Sequence, residues 1–248
     1  MHDRSGLRTL VVGGSRGLGR GVAIAFHEAG ADVVVVARSA EPLAALAAAH
    51  PGIGTEIADA TDDGSATRLI DRCRPNVLIL AAGATPVMAQ LQNLGWDAFS
   101  TNWHSDVKIA FTWLRAALSA PLPPGSRIVV FGSGAALDGS PLSGGYAGAK
   151  ATQRFLAEYG QQWSDRDGLR ITVTTVMPRM TPHGDVGRAG IRAYARLRGQ
   201  SEEEFVENSG ALLTRQIAGS AVVDLVRTDS SALARAYLLT AGGCAPVG

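Results

Sequence analysis

Tyr146 and Lys150 are the two residues whose types and spacing most directly suggest chemistry, because they lie four positions apart in the stretch Tyr-Ala-Gly-Ala-Lys. Residues four apart on an α-helix share a face, so a phenol and an ammonium would lie side by side. A free phenol ionises near pH 10, and a nearby cation favours its ionised form. A phenol in that setting can exchange a proton near neutral pH. Of the 23 basic residues only Lys108 and Lys150 are lysine, which supports a specific role at position 150.

Ser133 is a second candidate, in the stretch Gly-Ser-Gly thirteen residues before Tyr146. It follows the strand-like run 127–131, and open α/β sheets bind ligands at the carboxyl ends of their strands. Its hydroxyl could donate a hydrogen bond to a substrate oxygen. A serine that only completes a turn is the alternative.

The stretch Gly-Gly-Ser-Arg-Gly-Leu-Gly at positions 13–19 follows an apolar run and precedes a helical pattern. A helix N-terminus offers free backbone N–H groups and the positive end of a dipole, and both suit a phosphate. Glycine also lets a pyrophosphate approach the backbone. The spacing is G-x-x-x-G-x-G, not the commoner G-x-G-x-x-G pattern. A dinucleotide loop is the favoured interpretation, and a tight turn without a ligand is the alternative.

Arg38 stands just after the second strand-like run, Asp-Val-Val-Val-Val-Ala at 32–37. Dinucleotide-binding folds usually place an acidic residue there to bind the adenosine ribose. Arginine would instead attract a 2′-phosphate, and Arg16 in the glycine loop could supply a second guanidinium. The two arginines favour NADP(H) over NAD(H). Solvated surface arginines are the alternative.

The elements that must position these residues alternate along the chain. Helical patterns cover 18–29, 41–50, 96–118 and 145–164, and strand-like runs cover 7–12, 32–37, 54–58, 77–81, 127–131, 170–176 and 233–239. Such alternation predicts an α/β fold, a doubly wound Rossmann-type parallel sheet of about seven strands with helices on both faces. No linker or repeat divides residues 1–248, so we expect one domain.

The segment 178–213 is a long departure from this alternation, and we expect two short helices in it. Ser201 followed by Glu204 is a plausible capping box for the second helix. Insertions of this length are often functional, so we interpret the segment as a substrate lid. Helices that merely cover the sheet are the alternative.

The composition excludes several classes of protein. A net charge of +1 over 248 residues does not favour a nucleic-acid or membrane partner. No apolar run approaches the roughly 18 residues of a membrane span, and the first ten residues lack the pattern of a signal peptide. Cys73 and Cys244 form neither a disulfide framework nor a metal-ligand cluster. We therefore expect a cytoplasmic protein with a small-molecule substrate and no metal.

Several short patterns follow one another in a fixed order. They are 12–19 around the glycine loop, Asp59 after the third strand, Leu-Ala-Ala-Gly at 80–83, Asn102 in a helix, then Ser133, Tyr146, Lys150, and Pro178-Arg179 after the sixth strand. In this combination the sequence resembles the short-chain dehydrogenase/reductase family, in its compact branch, over nearly the whole chain. The individual motifs are weak, and their order and spacing carry the resemblance.

The resemblance implies a catalytic tetrad of Asn102, Ser133, Tyr146 and Lys150. Ser133 would bind a carbonyl oxygen, Tyr146 would deliver the proton, Lys150 would support Tyr146 and hold the nicotinamide ribose, and Asn102 would position a water that carries protons to Lys150. Together with the residue-based arguments above, it implies a set of residues that bind NADP(H). These are Gly13, Ser15, Arg16, Gly17, Leu18, Gly19, Arg38, Ser39, Asp59, Ala60, Ala82, Gly83, Tyr146, Lys150, Pro178 and Thr181.

The chain also departs from the family pattern. Val12 replaces a threonine and Ala81 an asparagine, and the C-terminal Val-Asp-Gly-Gly is reduced to Pro246-Val247-Gly248. Arg179 replaces a glycine near the nicotinamide, where it would either alter contacts to the carboxamide or place a cation in the substrate pocket. Thr181 is the nearest counterpart of the usual threonine, whose spacing is occupied by His183.

The leading hypothesis is thus an NADP(H)-dependent carbonyl reductase or alcohol dehydrogenase. A non-catalytic dinucleotide sensor is one alternative, and a dehydratase or epimerase that uses the cofactor transiently is another. We expect a partly apolar substrate with an anionic tail, in a pocket formed by residues 84–88, Ala135, Leu137, Arg179, His183 and the helices at 185–208, including Ile191, Tyr194, Leu197 and Phe205. The resemblance further implies a homodimer or homotetramer that pairs the helices holding Asn102 and Tyr146.

Overall fold

Eight strands form a single sheet in the computed structural model, which describes residues 6–247. The strands are β1 (Arg8–Val12), β2 (Asp32–Ala37), β3 (Gly54–Ile57), β4 (Val77–Leu80), β5 (Arg127–Phe131), β6 (Thr172–Pro178), β7 (Ala236–Thr240) and β8 (Gly243–Val247). Their order across the sheet is β3-β2-β1-β4-β5-β6-β7-β8, and all neighbours are parallel except the antiparallel pair β7–β8. The predicted doubly wound parallel sheet is confirmed.

Residues 6–247 also form ten α-helices around the sheet and its loops. They are α1 (Gly17–Glu28), α2 (Ala40–Ala49), α3 (Asp63–Cys73), α4 (Trp96–Asn102), α5 (Lys108–Ser119), α6 (Ala135–Asp138), α7 (Gly144–Arg166), α8 (Asp185–Arg198), α9 (Glu202–Asn208) and α10 (Arg215–Arg227). A π-helical segment, Trp103–Val107, joins α4 to α5. The bounds of most predicted elements differ from these by one to three residues, which is the ordinary spread at element ends.

Apolar side chains on both faces of the strands explain why the sheet is buried. One core packs Val33 and Val35 of β2 against α1, α2 and α10, with Phe26 fully enclosed. The other core packs Leu10 and Val12 of β1 against α3, α5 and α7. Alternate residues of one strand thus enter opposite cores, as the uninterrupted valine run of β2 predicts.

Several elements differ from the sequence-based expectation, among them β8, α3 and the helix predicted over 96–118. Strand β8 makes the sheet eight-stranded rather than about seven; it is a partly exposed edge strand that contains Pro246, so its sequence carries little strand pattern. Helix α3 was not predicted, because most of its residues are polar. Asp62 caps its N-terminus by accepting a hydrogen bond from Ser65 N–H at 2.7 Å. The predicted helix over 96–118 is interrupted by the π-helical segment Trp103–Val107.

The segment between β6 and α10 contains α8 and α9, as expected. Ile191, Ala195 and Phe205 form a small apolar core between these two helices. The capping box is confirmed, because Ser201 Oγ accepts from Glu204 N–H at 3.1 Å and Glu204 accepts from Ser201 N–H at 2.8 Å. The two helices therefore form a unit with its own packing beside the sheet.

Both cysteines are free thiols, and burial, followed by the charge of Asp224, raises the pKa of Cys244 to about 11. Within residues 6–247 no helix is long and apolar enough to cross a membrane. The same part of the chain holds no group of three histidine, cysteine or acidic side chains placed to bind a metal. Residues 1–5 of the N-terminal stretch and Gly248 lie outside the described residues.

Candidate active site

A cavity of about 690 Å³ opens at the carboxyl ends of the strands, beside the neighbouring strands β1 and β4 where the strand order switches. This is the position at which doubly wound sheets bind their ligands. The predicted residues that line it are Gly13, Ser15, Arg16, Gly17, Leu18, Gly19, Arg38, Ser39, Asp59, Ala60, Ala82, Gly83, Ser133, Tyr146, Lys150, Pro178 and Thr181. The structure therefore brings the predicted cofactor and catalytic positions to one cavity, except for Asn102.

The glycine loop brings the N-terminus of α1 to this cavity. Gly13 has a φ of +88°, and a Cβ on it would lie 2.4 Å from Ala82 N, so only glycine lets the loops after β1 and β4 approach so closely. Helix α1 starts at Gly17 without a side-chain cap and without an acidic residue in its first turn. Its first backbone N–H groups are thus placed to receive an anion.

Arg38 and Asp59 carry opposite charges at another part of the cavity wall, without forming an ion pair. Asp59 Oδ1 accepts hydrogen bonds from Thr61 N–H at 2.8 Å and from the Thr61 hydroxyl at 2.9 Å. These two bonds lower the pKa of Asp59, and the positive charge of Arg38 adds to the effect. Arg38 is exposed, and none of residues 6–247 forms an ion pair with its guanidinium, which leaves it able to bind an anionic ligand.

Arg16 connects the glycine loop to the segment of α8 and α9. Its guanidinium lies 2.9 Å from Asp185 Oδ2, and Asp185 is the first residue of α8. Asp185 also pairs with Arg188 one turn further along the helix. The two exposed arginines of the predicted 2′-phosphate site therefore differ, since Arg16 already has an anionic partner.

Ser133, Tyr146 and Lys150 lie together at the other end of the cavity. Ser133 follows β5, and its Oγ accepts from Ala135 N–H at 3.2 Å, so the hydroxyl proton is free to donate elsewhere. Tyr146 and Lys150 lie one turn apart on α7, with Lys150 Nζ 5.5 Å from the centre of the Tyr146 ring. A phenol, a hydroxyl and an ammonium thus face one space, as the spacing predicts.

Lys150 is buried and surrounded by oxygen atoms. Its Nζ donates to Phe131 O at 3.1 Å and to Gln153 Oε1 at 2.8 Å, and it lies 3.0 Å from Asp106 Oδ2. Burial disfavours the ammonium, but the charge of Asp106, followed by that of Tyr146, outweighs it and raises the pKa of Lys150. The lysine is therefore held as a cation.

Asn102 is the predicted catalytic residue that does not line the cavity. Its side chain is buried and donates to Ala84 O at 2.9 Å and to Asp106 Oδ1 at 3.2 Å. It thereby ties the end of α4 to the loop after β4. Its predicted part in a proton relay stays a prediction.

Asp106 and Gln153 are site residues that sequence reasoning missed. Asp106 stands four positions after Asn102 and Gln153 three after Lys150, so each shares a helix face with a predicted residue. An acidic residue on the buried face of a helix is a signal that could have found Asp106.

The rest of the cavity is formed by loop residues and by α8 and α9. Ala84, Thr85, Pro86, Met88, Ala135, Arg179, His183, Tyr194 and Phe205 line it as expected, together with Arg198. Val87, Leu137 and Leu197 do not line it, and Ile191 packs in the small core of α8 and α9 instead. Thr181 is turned inward, because its hydroxyl donates to Leu213 O at 2.7 Å.

Arg179 extends over the turn that carries the candidate serine. Its Cδ lies 3.3 Å from where a Cβ on Gly134 would be, and its guanidinium is 4.0 Å from Asp138 Oδ2. The side chain is largely exposed, so Asp138 is a distant and screened partner. A cation therefore stands next to Ser133 at the cavity wall.

The glycine loop lies where the strand order switches, and Ser133, Tyr146 and Lys150 line the same cavity, an arrangement typical of nucleotide-binding α/β enzymes. The sequence model of the family described as short chain dehydrogenase matches residues 8–187, and the chain belongs to that family. It is accordingly an oxidoreductase of a family that uses a nicotinamide cofactor.

Similar proteins agree with this assignment. The chain is 26% identical over 179 residues to L-xylulose reductase of Mesocricetus auratus, covering 72% of this chain and 68% of that protein. It is 30% identical over 107 residues to carbonyl reductase [NADPH] 2 of Sus scrofa, covering 43% of this chain and 44% of that protein. A crystal structure of NAD+-bound xylitol dehydrogenase shares the fold, with a TM-score of 0.82, 19% identity and coverage of 95% and 97%.

Proposed function

We propose that this protein is an NADP(H)-dependent oxidoreductase that interconverts a carbonyl group and a secondary alcohol, with Tyr146 as the acid–base residue. The observation that carries the proposal is the shared cavity of the glycine loop, Ser133, Tyr146 and Lys150. Two relatives whose names are reductases support the reaction class. We also propose that the chain forms one domain. Helices α8 and α9 would cover the bound substrate as a lid.

The side chains of the protein would transfer the proton to the carbonyl oxygen and stabilise the negative charge that develops on it. A bound nicotinamide cofactor supplies or takes the hydride at the carbonyl carbon. Ser133 donates a hydrogen bond to the carbonyl oxygen and stabilises its negative charge. Tyr146 transfers its proton to that oxygen, so hydride plus proton convert the carbonyl to an alcohol. The charge of Lys150 stabilises the phenolate left on Tyr146, and the reverse steps serve oxidation.

The residues present fit a dinucleotide cofactor. A volume of about 690 Å³ lies within the usual range of roughly 300–1,000 Å³ for ligand pockets. The first turn of α1 offers backbone N–H groups without a competing carboxylate, which suits a pyrophosphate. Gly13, Gly17 and Gly19 would hold the pyrophosphate side, and Tyr146 with Lys150 the nicotinamide ribose side.

The preference for NADP(H) rests on Arg38. This guanidinium lines the cavity where an acidic residue would bind the ribose of NAD(H), and it has no ion-pair partner among residues 6–247. Arg16 can add a second contact to a 2′-phosphate by leaving Asp185, with which it is paired at 2.9 Å. Planar guanidinium groups bind phosphate well.

The experiment that tests the cofactor is a fluorescence titration with NADPH and NADH on the wild-type protein and on Arg38→Asp. We expect the wild type to bind NADPH about tenfold or more tightly than NADH, and the substitution to abolish that preference, since two hydrogen bonds to a charged group contribute about 1.5–3 kcal/mol each.

Arg74→Asp is the matched control, because Arg74 is an exposed arginine outside the cavity. It adopts a left-handed conformation with φ +40°, which aspartate tolerates. The control should bind both cofactors as the wild type does. Equal affinity of the wild type for NADPH and NADH would contradict the proposed preference.

A further inference from the structure

Asp106 is a buried carboxylate that the reaction steps above do not use. It lies in the π-helical segment, is fully shielded from solvent and contacts both the loop after β4 and α7. Burying a charge is costly unless it is paired and hydrogen-bonded. An acidic side chain in this position therefore needs an explanation beyond packing.

The two carboxylate oxygens of Asp106 have different surroundings. Oδ1 accepts from Ala84 N–H at 2.8 Å, from the Ser105 hydroxyl at 2.7 Å and from the Asn102 amide at 3.2 Å. Oδ2 lies 3.0 Å from Lys150 Nζ, and no hydrogen bond from another of residues 6–247 reaches it. One oxygen thus anchors the carboxylate, and the other is aimed at the lysine.

The residues around the Asp106–Lys150 ion pair restrict the positions of the carboxylate and the ammonium. A Cβ on Gly83 would lie 2.6 Å from Asp106 Oδ2, so the glycine leaves just the space that the carboxylate occupies. Gln153 accepts from Lys150 Nζ at 2.8 Å and donates to Asp106 O at 2.8 Å, which links both partners. Ammonium and carboxylate are therefore held from several directions.

Few other charged or titratable groups face Lys150 among the described residues. Helix α7 contributes Tyr146 and the neutral amide of Gln153, β5 contributes the neutral carbonyl of Phe131, and the π-helical segment contributes Asp106. Asp106 is the anion in contact with Lys150 over the whole neutral range. The protonation of the lysine thus depends chiefly on this carboxylate, with a smaller contribution from Tyr146.

We propose that Asp106 is a positioning residue, the buried counter-ion that keeps Lys150 charged and fixed beside Tyr146 and so sets the alkaline limit of the acid–base chemistry. The kinetic part of this statement rests on the proposed function. Removing one member of a buried pair leaves the other as an uncompensated charge, and a buried lysine then releases its proton at much lower pH. A neutral Lys150 would no longer stabilise a phenolate at Tyr146.

The chain allows a direct test, because Lys108 and Lys150 are its only lysines. Protein labelled with ¹³C at lysine Cε gives two lysine resonances, assigned with Lys108→Arg, whose shifts report protonation without any activity. We expect Lys150 in the wild type to stay charged beyond the roughly pH 10.4 of a free lysine. In Asp106→Asn its midpoint should fall by about 1–3 pH units.

Asp97→Asn is the matched control, since Asp97 is an exposed aspartate in the first turn of α4, outside the cavity. Its Lys150 midpoint should equal that of the wild type. An unchanged midpoint in Asp106→Asn would overturn the proposal. If that variant does not fold, the wild type alone decides, because a Lys150 that titrates below a free lysine contradicts a counter-ion role.

A pH–rate profile supplies the functional readout. In Asp106→Asn the alkaline fall of kcat should move down by the same 1–3 pH units while KM for the carbonyl substrate stays within about twofold. A uniform loss of kcat at every pH would contradict the proposal and indicate structural damage. Absence of turnover by the wild type would count against the proposed function alone, since the lysine titration still decides the role of Asp106.

Discussion

At the scale of single residues, the site combines one buried ion pair with exposed cations. Lys150 and Asp106 form a buried pair at 3.0 Å, and Tyr146 lies at the edge of that pair and faces the cavity. Arg38 and Arg179 are exposed cations at different parts of the same cavity wall. The buried pair would support proton transfer at Tyr146, whereas the exposed cations can bind anionic groups of the ligands.

Arg179 provides a prediction about the substrate. Because its guanidinium stands beside the turn of Ser133, we expect Arg179→Gly to raise KM for a carbonyl substrate bearing a carboxylate by about tenfold, and KM for a neutral analogue by less than twofold. Steady-state kinetics with one such matched pair measures the difference.

Asp138→Asn is the complementary variant, because Asp138 is the distant anionic partner of Arg179. It should leave KM for the neutral substrate unchanged and lower that of the acidic one slightly. Equal changes for both substrates in Arg179→Gly would refute the anionic-tail expectation.

The sequence predicts site residues whose spacing falls within one element and misses those defined by contacts between elements. Tyr146 and Lys150 are recognisable from a four-residue interval on α7, and both line the cavity. Asp106 acquires its role from Lys150 on another helix and from Ala84 in a loop. No local pattern contains those distances.

At the scale of secondary structure, strands, loops and helices bring these residues to one cavity, and α8 and α9 form part of its wall. Helices α8 and α9 contribute side chains to the cavity wall, and Arg16 joins the glycine loop to α8 through Asp185. Their packing rests on a small core that includes Phe205. Local stability of α9 is therefore set largely by that core and by its cap.

Ser201→Ala tests the cap of α9. Loss of the N-cap hydroxyl should cost about 1 kcal/mol, which corresponds to roughly fivefold faster amide hydrogen exchange in α9. Ser119→Ala, at the exposed end of α5, is the control and should leave exchange in α9 as it is in the wild type. Unaltered exchange in α9 of Ser201→Ala would show that the cap does not stabilise it.

Elements rich in apolar residues were predicted from the sequence, whereas a mostly polar helix and an edge strand were not. The valine run of β2 and the long pattern of α7 are found close to their expected positions. The edge strand β8 contains Pro246 and lacks a strand pattern, whereas α3 is polar apart from one buried face of Ala66, Leu69 and Ile70, whose helical spacing could have predicted it. The π-helical segment is set by backbone hydrogen bonding rather than by residue pattern.

The whole molecule leaves aromatic side chains exposed on one pair of helices. Phe111 of α5 and Phe155, Tyr159 and Trp163 of α7 are exposed, and the rings of Phe155 and Tyr159 stack at 6.1 Å. Contiguous exposed apolar surface commonly marks a protein interface. We therefore propose that these helices pair with a second copy of the chain.

The mass of the protein in solution, measured by light scattering at micromolar concentration, tests this proposal. We expect the mass of a dimer or tetramer for the wild type and the mass of a smaller species for Phe155→Glu combined with Tyr159→Glu, since charges would be buried in the interface. Ile57→Glu, at an exposed apolar residue of β3, should not change the mass. A monomeric wild type would refute the proposed assembly.

The most direct test of the central claim is NADPH consumption at 340 nm across a panel of ketones and aldehydes, for the wild type and Tyr146→Phe. The account predicts turnover by the wild type and a loss of about 10²–10⁴-fold in kcat for Tyr146→Phe, with NADPH affinity within about twofold of the wild type. Equal turnover by both proteins would contradict Tyr146 as the acid–base residue. NADPH binding without turnover of any carbonyl by the wild type would contradict the reductase function and favour a dinucleotide sensor.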